Sequence, residues 1–275
     1  MTKEERHNLI LETLMKHESI PVSNLSMLLD VSAVTIRKDL SELEKNSKLY
    51  RSHGRAILID PYINNRSIIE KENLARHEKA QIGQLASSLI TKDDSIIIAS
   101  GTTVLAMARC IKPIHRLTVI SASLKVSELL GANEAIDLIQ LGGTLRTSSL
   151  SVVGKYAENA LQGFSCSKLF IGVDGIDLDF GITTTDMRES DLNRAMMRTA
   201  QKTIVLADSS KFRRRGFSKI ADIEDVDVII TDSNIPDKIA QAIEDRGIEI
   251  KIVNVSDNHL NIGGITVPHK ETANQ

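Results

Sequence analysis

DSIIIASGTTVLAMA, residues 94–108, runs from an apolar strand through Ser-Gly-Thr-Thr into a helical pattern. That layout suits an anion: glycine lets backbone N–H groups approach it, and the following helix contributes its positive end. The same alternation continues outward. Candidate strands SIIIAS, LTVISAS, IDLIQLG, KLFIGVD, TIVLAD, DVDVIIT and IEIKIVN are separated by helical stretches at 104–110, 124–130, 156–161, 189–202 and 236–245. Unbroken Ile/Val/Leu strands imply that both sheet faces are covered, which predicts an α/β fold with a mostly parallel, Rossmann-like sheet.

Ligands of such sheets sit beyond the carboxyl ends of the strands. Those ends supply Ser100, Gly101, Thr102 and Thr103, then Ser121 and Ser123, Gly142 and Gly143, Asp174, and Lys211. Asp174 would accept hydrogen bonds from sugar hydroxyls and Lys211 would counter a phosphate charge. Each also has an ordinary reading. Gly-Thr-Thr can be a helix cap, Asp174-Gly175 a turn, and Lys211 with Arg213, Arg214 and Arg215 a solvated loop; the three arginines are assigned to the surface. Five polar strand ends in one chain favour a site. No dinucleotide fingerprint or P-loop occurs, which argues against nucleotides.

The 275 residues exceed one small domain and fit a medium domain plus a smaller one. With aromatics at 3% and no Trp, the cores must be built from Ile, Leu, Val and Ala. Net charge is −2, so any nucleic-acid surface has to be local. Two cysteines, Cys110 and Cys166, read as buried apolar groups in a reducing compartment. Charges interrupt every apolar run of the first twenty residues, and no run approaches a membrane span. A soluble, cytoplasmic protein is expected, with no metal or other cofactor and no membrane partner.

The first sixty residues have a different character. Residues 4–17 pattern as an amphipathic helix with Leu9, Ile10, Leu14 and Met15 toward one face, and Val22, Leu25 and Leu28 mark a second. Asp30-Val31-Ser32 is a turn, with Ser32 placed to cap a third helix, AVTIRKDLSELEKN. Ile36, Leu40 and Leu43 form its apolar stripe. Val34, Thr35, Arg37, Lys38 and Ser41 lie opposite, a set of small, hydroxyl and cationic groups suited to a DNA major groove or equally to a solvated helix face. KLYRSHGRAILI then alternates about His53-Gly54 as a hairpin. Residues 31–58 hold six Lys/Arg against three Asp/Glu. Three short helices and a basic hairpin predict a winged helix-turn-helix, with Arg51 and Arg55 extending its reach to phosphates or the minor groove and Ser32 and His53 joining the candidate DNA contacts.

VSAVTIRKDLSELEKNSKLYRSHGRAIL closely resembles the DNA-binding domain of the DeoR-type bacterial repressors, whose pattern is Val-Ser-x-x-Thr-Ile-Arg-x-Asp-Leu-x-x-Leu-Glu followed by Arg-x-His-Gly-Gly-Ala. Arg55 stands where that family has a second Gly. The later half is similar to the family's sensor domain through SGTT (100–103), GGTLR (142–146), LFIGVDGID (169–177), GITT (181–184) and DSSKF (208–212). The resemblance adds Arg146, Thr183 and Glu189 to the candidate ligand residues and implies a sensor fold related to ribose-5-phosphate isomerase. It implies a phosphorylated sugar or polyol effector, release of double-stranded operator DNA on binding it, and a homo-oligomer, dimer or tetramer. Ala99 and Ala122 replace an Asp and an Asn of the family pattern.

These readings divide the chain into a DNA-binding domain (1–59), a linker (60–78), a sensor (79–256) and a polar tail (257–275). An isomerase with an appended DNA-binding domain is the alternative. Glu189 would be its base, but the lysine and glycine run that precede the isomerase's glutamate are absent from GITTT, and a winged helix has no use in such an enzyme. A binding-dead interaction module is disfavoured by the SGTT, DGID and DSSK segments.

Overall fold

The computed structural model describes residues 1–17, 19–45, 49–52, 55–58, 68–113 and 115–255. His53, most of the hairpin tip, residues 59–67 and the tail from 256 lie outside them.

The N-terminal unit comprises α1 (Lys3–His17), β1 (Ser19–Pro21), α2 (Val22–Leu29), α3 (Ala33–Lys45), β2 (Leu49–Ser52) and β3 (Arg55–Leu58). The β2–β3 hairpin pairs Leu49 with Leu58 and Ser52 with Arg55, and β1 adds a third antiparallel strand on β3. Ile10, Leu14, Val22, Leu25, Leu29, Ile36, Leu40, Leu43, Leu49 and Ala56 make the core. Burying each large aliphatic group contributes about 1.5–3 kcal/mol. Leu29 replaces Leu28 in the expected stripe: at about 100° per residue, 22, 25 and 29 share a narrow arc, whereas 28 lies well off it and is 62% exposed. Leu9 likewise turns outward. Asp30 ends α2 in the left-handed region, at φ 50°. Ser32 Oγ accepts from Thr35 N–H at 3.2 Å at the start of α3.

The larger unit begins with α4 (Ile68–Asn73) and α5 (Arg76–Ser88), followed by β4 (Ser95–Ile98), α6 (Thr102–Ala108), β5 (Leu117–Ser121), α7 (Leu124–Leu130) and β6 (Ile136–Gln140). A small ribbon, β7 (Thr144–Arg146) and β8 (Ser151–Val153), leads to α8 (Lys155–Ala160) and β9 (Cys166–Gly172). Next come β10 (Gly175–Asp177), β11 (Gly181–Thr184), α9 (Met187–Thr199), β12 (Ala200–Leu206), β13 (Ser218–Ala221), β14 (Val228–Asp232), α10 (Asp237–Glu244) and β15 (Glu249–Val253).

All seven expected strands join one parallel sheet in the order β15-β14-β12-β9-β4-β5-β6. Period-two alternation sorts their side chains between two cores. Ile97, Leu169, Ile171, Val205 and Ile229 enter one face, and Ile96, Ile98, Phe170, Ile204, Leu206 and Ile230 the other. The chain builds outward from β4 to β5 and β6, then returns to β4's opposite side with β9. The order therefore reverses between β4 and β9, and a crevice opens at that switch point. The antiparallel β10–β11–β13 sheet is additional to the sequence reading. Its strands hold three or four residues each, too few for a period-two signal.

Candidate functional site

Beyond the carboxyl ends of β4 and β9 lies a cavity of about 340 Å³. From β4 come Ser100, Gly101, Thr102 and Thr103. Gly101 adopts φ 129°, which a side chain would strain, and it lets the chain turn directly into α6. From β9 comes Asp174, with Arg146 from β7, Glu189 at the start of α9, and Lys211 from the turn Ser209–Lys211. Eight of the thirteen residues expected at a ligand site thus share one space.

The other five lie outside the cavity lining. Ser121 Oγ donates to Ile98 O at 2.8 Å and accepts from Ser123 N–H, tying β5 to β4. Ser123 caps α7 through Val126 N–H. Gly142 and Gly143 are exposed in the turn into β7. Thr183 points away because strand neighbours alternate: its hydroxyl donates to Gly175 O and accepts from Gly216 N–H at 2.7 Å, while Thr184 takes the cavity position. Ala99 and Ala122 pack in the apolar core with Ile97 and Ile120, away from the lining.

Several lining residues had no sequence expectation. Lys71 (α4) comes from the stretch assigned to a linker, Lys79 (α5) from the first residue assigned to the sensor, and Arg214 from the run assigned to surface. Lys71 Nζ donates to Asp174 Oδ1 at 2.8 Å. Burial pushes the Asp174 carboxyl up, but the Lys71 and Lys211 charges outweigh it and hold the group below the usual carboxylate range. Thr184 Oγ1 bridges the carboxylates of Asp174 and Glu189, at 3.2 and 3.3 Å. Arg146 reaches Asp186 and Glu189 at 3.3 and 3.4 Å. Lys79 is 5% exposed and donates to the carbonyls of Lys71 and Leu74 at 2.7 and 2.6 Å. Burial lowers its pKa to about 8, partly opposed by Asp208 and reinforced by Lys211 and Lys71. Burial also lowers that of Arg214. The signal for Lys79 was present in its helical register: 79, 82, 83 and 86 form the buried stripe of α5, and a lysine there needs a purpose.

Arg214 is brought in by close packing at Gly175. A Cβ at Gly175 would lie 2.5 Å from Arg214 O, so only glycine lets this loop close against β10. Arg215 is also engaged, through an ion pair with Asp177 at 2.9 Å and a cation–π contact with Phe180. The run is thus built into the sensor and is not a solvated loop.

Among the described residues, five cationic side chains (Lys71, Lys79, Arg146, Lys211, Arg214) face three carboxylates (Asp174, Glu189, Asp208). Hydroxyls from Ser100, Thr102, Thr103, Ser148, Ser149, Thr184 and Ser210 complete the lining. A surplus of cations suits a phosphate dianion, and hydroxyls with carboxylates suit a polyhydroxylated carbon chain.

On the N-terminal unit, Ser32, Val34, Arg37 and Lys38 are exposed, with Thr35 and Ser41 half-buried beside them. Ser41 Oγ donates to Arg37 O and accepts from Arg51 Nη1 at 2.8 Å. The Arg51 guanidinium also holds Glu44 at 2.6 Å, which locks β2 against α3. Arg55, half-buried, occupies the first position of β3. The apolar stripe of α3 faces the core, so its basic stripe is presented outward.

A winged helix with an outward basic helix, joined to a sensor whose cavity lies at a sheet switch point, defines a DNA-binding transcription regulator. Residues 6–62 match the DeoR-like helix-turn-helix domain and residues 74–233 the DeoR C terminal sensor domain, and the chain belongs to the DeoR family. A putative aga operon transcriptional repressor of Escherichia coli is 36% identical over 252 residues, covering 90% of this chain and 93% of that protein. The HTH-type transcriptional repressor GlcR of Bacillus subtilis is 32% identical over 252 residues, covering 92% and 97%. Ribose 5-phosphate isomerase A of Methanocaldococcus jannaschii overlaps half of this chain and 55% of its own, with a TM-score of 0.37 and 16% identity. Among the described residues no helix is long and apolar enough to cross a membrane.

Proposed function

We propose that this protein represses a sugar or polyol catabolic operon and leaves its operator when a phosphorylated sugar or polyol fills the sensor cavity. The observation that carries the reading is the cationic surplus of a hydroxyl-lined cavity on a chain that also carries a winged helix. Ser100 to Thr103, with Lys211, would hold the phosphate, and Asp174 and Glu189 the hydroxyls. Val34, Thr35, Arg37, Lys38 and Ser41 would face the major groove. One small winged helix covers only a half-site, so the working form is at least a dimer. The relatives' names, a putative aga operon transcriptional repressor and the transcriptional repressor GlcR, agree with control of an operon by repression.

The test is a thermal-shift screen of sugar and polyol phosphates, followed by gel shifts on DNA selected from a random pool. At least one phosphorylated compound should raise the melting temperature and release the DNA, while its unphosphorylated parent does neither. Thr103→Val and Lys211→Ala should keep the DNA retarded in the presence of that compound. A silent screen sinks the reading. Conversion of an aldose phosphate to its ketose would support the isomerase alternative instead. Glu189 is a poor free base here, because Arg146, Ser151 and Thr184 all engage its carboxylate.

A further inference from the structure

Lys71 belongs to α4, the first described element after the DNA-binding hairpin. Only residues 59–67 separate that helix from β3. Three contacts dock α4 on the sensor. Ile68 is 3% exposed and its N–H donates to Ser148 O at 2.8 Å, joining the cavity wall. Glu72 bridges Arg109 of the α6 C-cap and Lys125 of α7, the latter at 2.9 Å. Lys71 reaches inward to Asp174. At the far end, Lys79 holds the carbonyls of Lys71 and Leu74 from within the cavity lining. The helix leading out of the DNA-binding domain thus supplies part of the sensor's wall.

We propose that Lys71 is a ligand-binding residue delivered by this helix, and that an anionic ligand in the cavity fastens α4 to the sensor and shortens the tether on the DNA-binding domain. The proposal rests on reading the cavity as an anion site. Its logic is linkage. With α4 docked, Lys71 adds a positive charge to the cavity; with α4 undocked, that charge is gone. An anion therefore binds the docked state better and shifts the population toward it. Docking has a geometric consequence. Nine residues, 59–67, span at most about 30 Å when extended, whereas release of the chain as far as Ala75 raises the limit to about 55 Å. A short tether restricts how far apart two DNA-binding units of an oligomer can stand, and a repeated operator demands a set spacing.

The test is hydrogen exchange on the full chain, with and without inorganic phosphate, beside thermal melts of the same samples. Phosphate should raise the melting temperature, and Lys211→Ala should abolish that rise. Peptides covering residues 68–74 should exchange about tenfold more slowly with phosphate, in line with ordinary allosteric couplings, while peptides from β9 stay unchanged. The slowing should vanish in Lys71→Met and persist in Lys71→Arg. If phosphate gives the Lys211-dependent rise but leaves exchange over 68–74 unaltered, the tether idea is overturned and the cavity reading survives. Absence of any Lys211-dependent rise overturns both.

Discussion

Arg6 of α1 grips Asp39 of α3 with two parallel hydrogen bonds, Nε to Oδ2 at 2.5 Å and Nη2 to Oδ1 at 2.9 Å, while Asp39 is only 3% exposed. His7 Nε2 lies 3.3 Å from the same carboxylate. Asp39 is the acidic letter of the Thr-Ile-Arg-x-Asp-Leu pattern, and its place in the structure is a clamp between α1 and α3.

Asp39→Ala should therefore cost about 3 kcal/mol, since it leaves a half-buried guanidinium without its partner. Burial pushes the Asp39 carboxyl up, but Arg6 and His7 more than reverse this and lower it. A lowered carboxylate stabilises the fold above the unfolded pKa and loses that contribution as pH falls through the folded one. Circular-dichroism melts of the wild type should lose their N-terminal transition first as pH drops below about 4. The variant should show no such acid step.

Arg37 and Lys38 are exposed on α3, so charge reversal of either should remove DNA retention without lowering the melting temperature. Neutral Lys38→Gln should weaken binding and reduce the slope of log affinity against log salt by about 1 if Lys38 touches one phosphate. Fluorescence anisotropy across a salt series measures it. An unchanged slope places Lys38 away from the backbone.

An anion bound in the proposed site should be pH-linked through Lys79. Its pKa of about 8 reflects burial first, then Asp208, Lys211 and Lys71. An anion in the cavity favours the charged form and raises that pKa. Ligand binding near pH 8 should take up protons, and affinity should fall as pH rises through about 8. At pH 6, where Lys79 is already charged, uptake through this group should vanish. Calorimetry in two buffers of different ionisation enthalpy reads the proton count, and Lys79→Met should erase it.

Gly175→Ala should damage the sensor locally. The added Cβ collides with Arg214 O at 2.5 Å and Thr183 Oγ1 at 2.7 Å. Overpacking of this kind costs about 1–3 kcal/mol, and it pushes Arg214 out of the cavity wall. Urea titration should show the loss, together with a weaker melting-temperature response to sugar phosphates. Wild-type values for both would mean that the loop accommodates the methyl group.

Much of this protein is legible one strand or helix at a time. The seven parallel strands, the wing and the outward basic stripe of α3 all follow from local period and composition. So does the Ser100–Thr103 turn, because a strand, a glycine and a helix start are neighbours in the chain. Motifs taken one at a time mislead where neighbours alternate. Thr183 and Thr184 look interchangeable in GITT, yet the pleat of β11 sends one to the backbone of the fold and the other to the cavity.

Local pattern alone sets the inventory of elements and the chemical types at their ends. Which of those ends meet was decided only by tertiary structure, because the strands do not pair in chain order and the return from β6 to β9 sets Ser100 beside Asp174. The same packing folds α4 and α5 back over that junction. Lys71 and Asp174 are 103 residues apart, and no local period connects them; burial of Ile68 and the register of α5 bring their charges together.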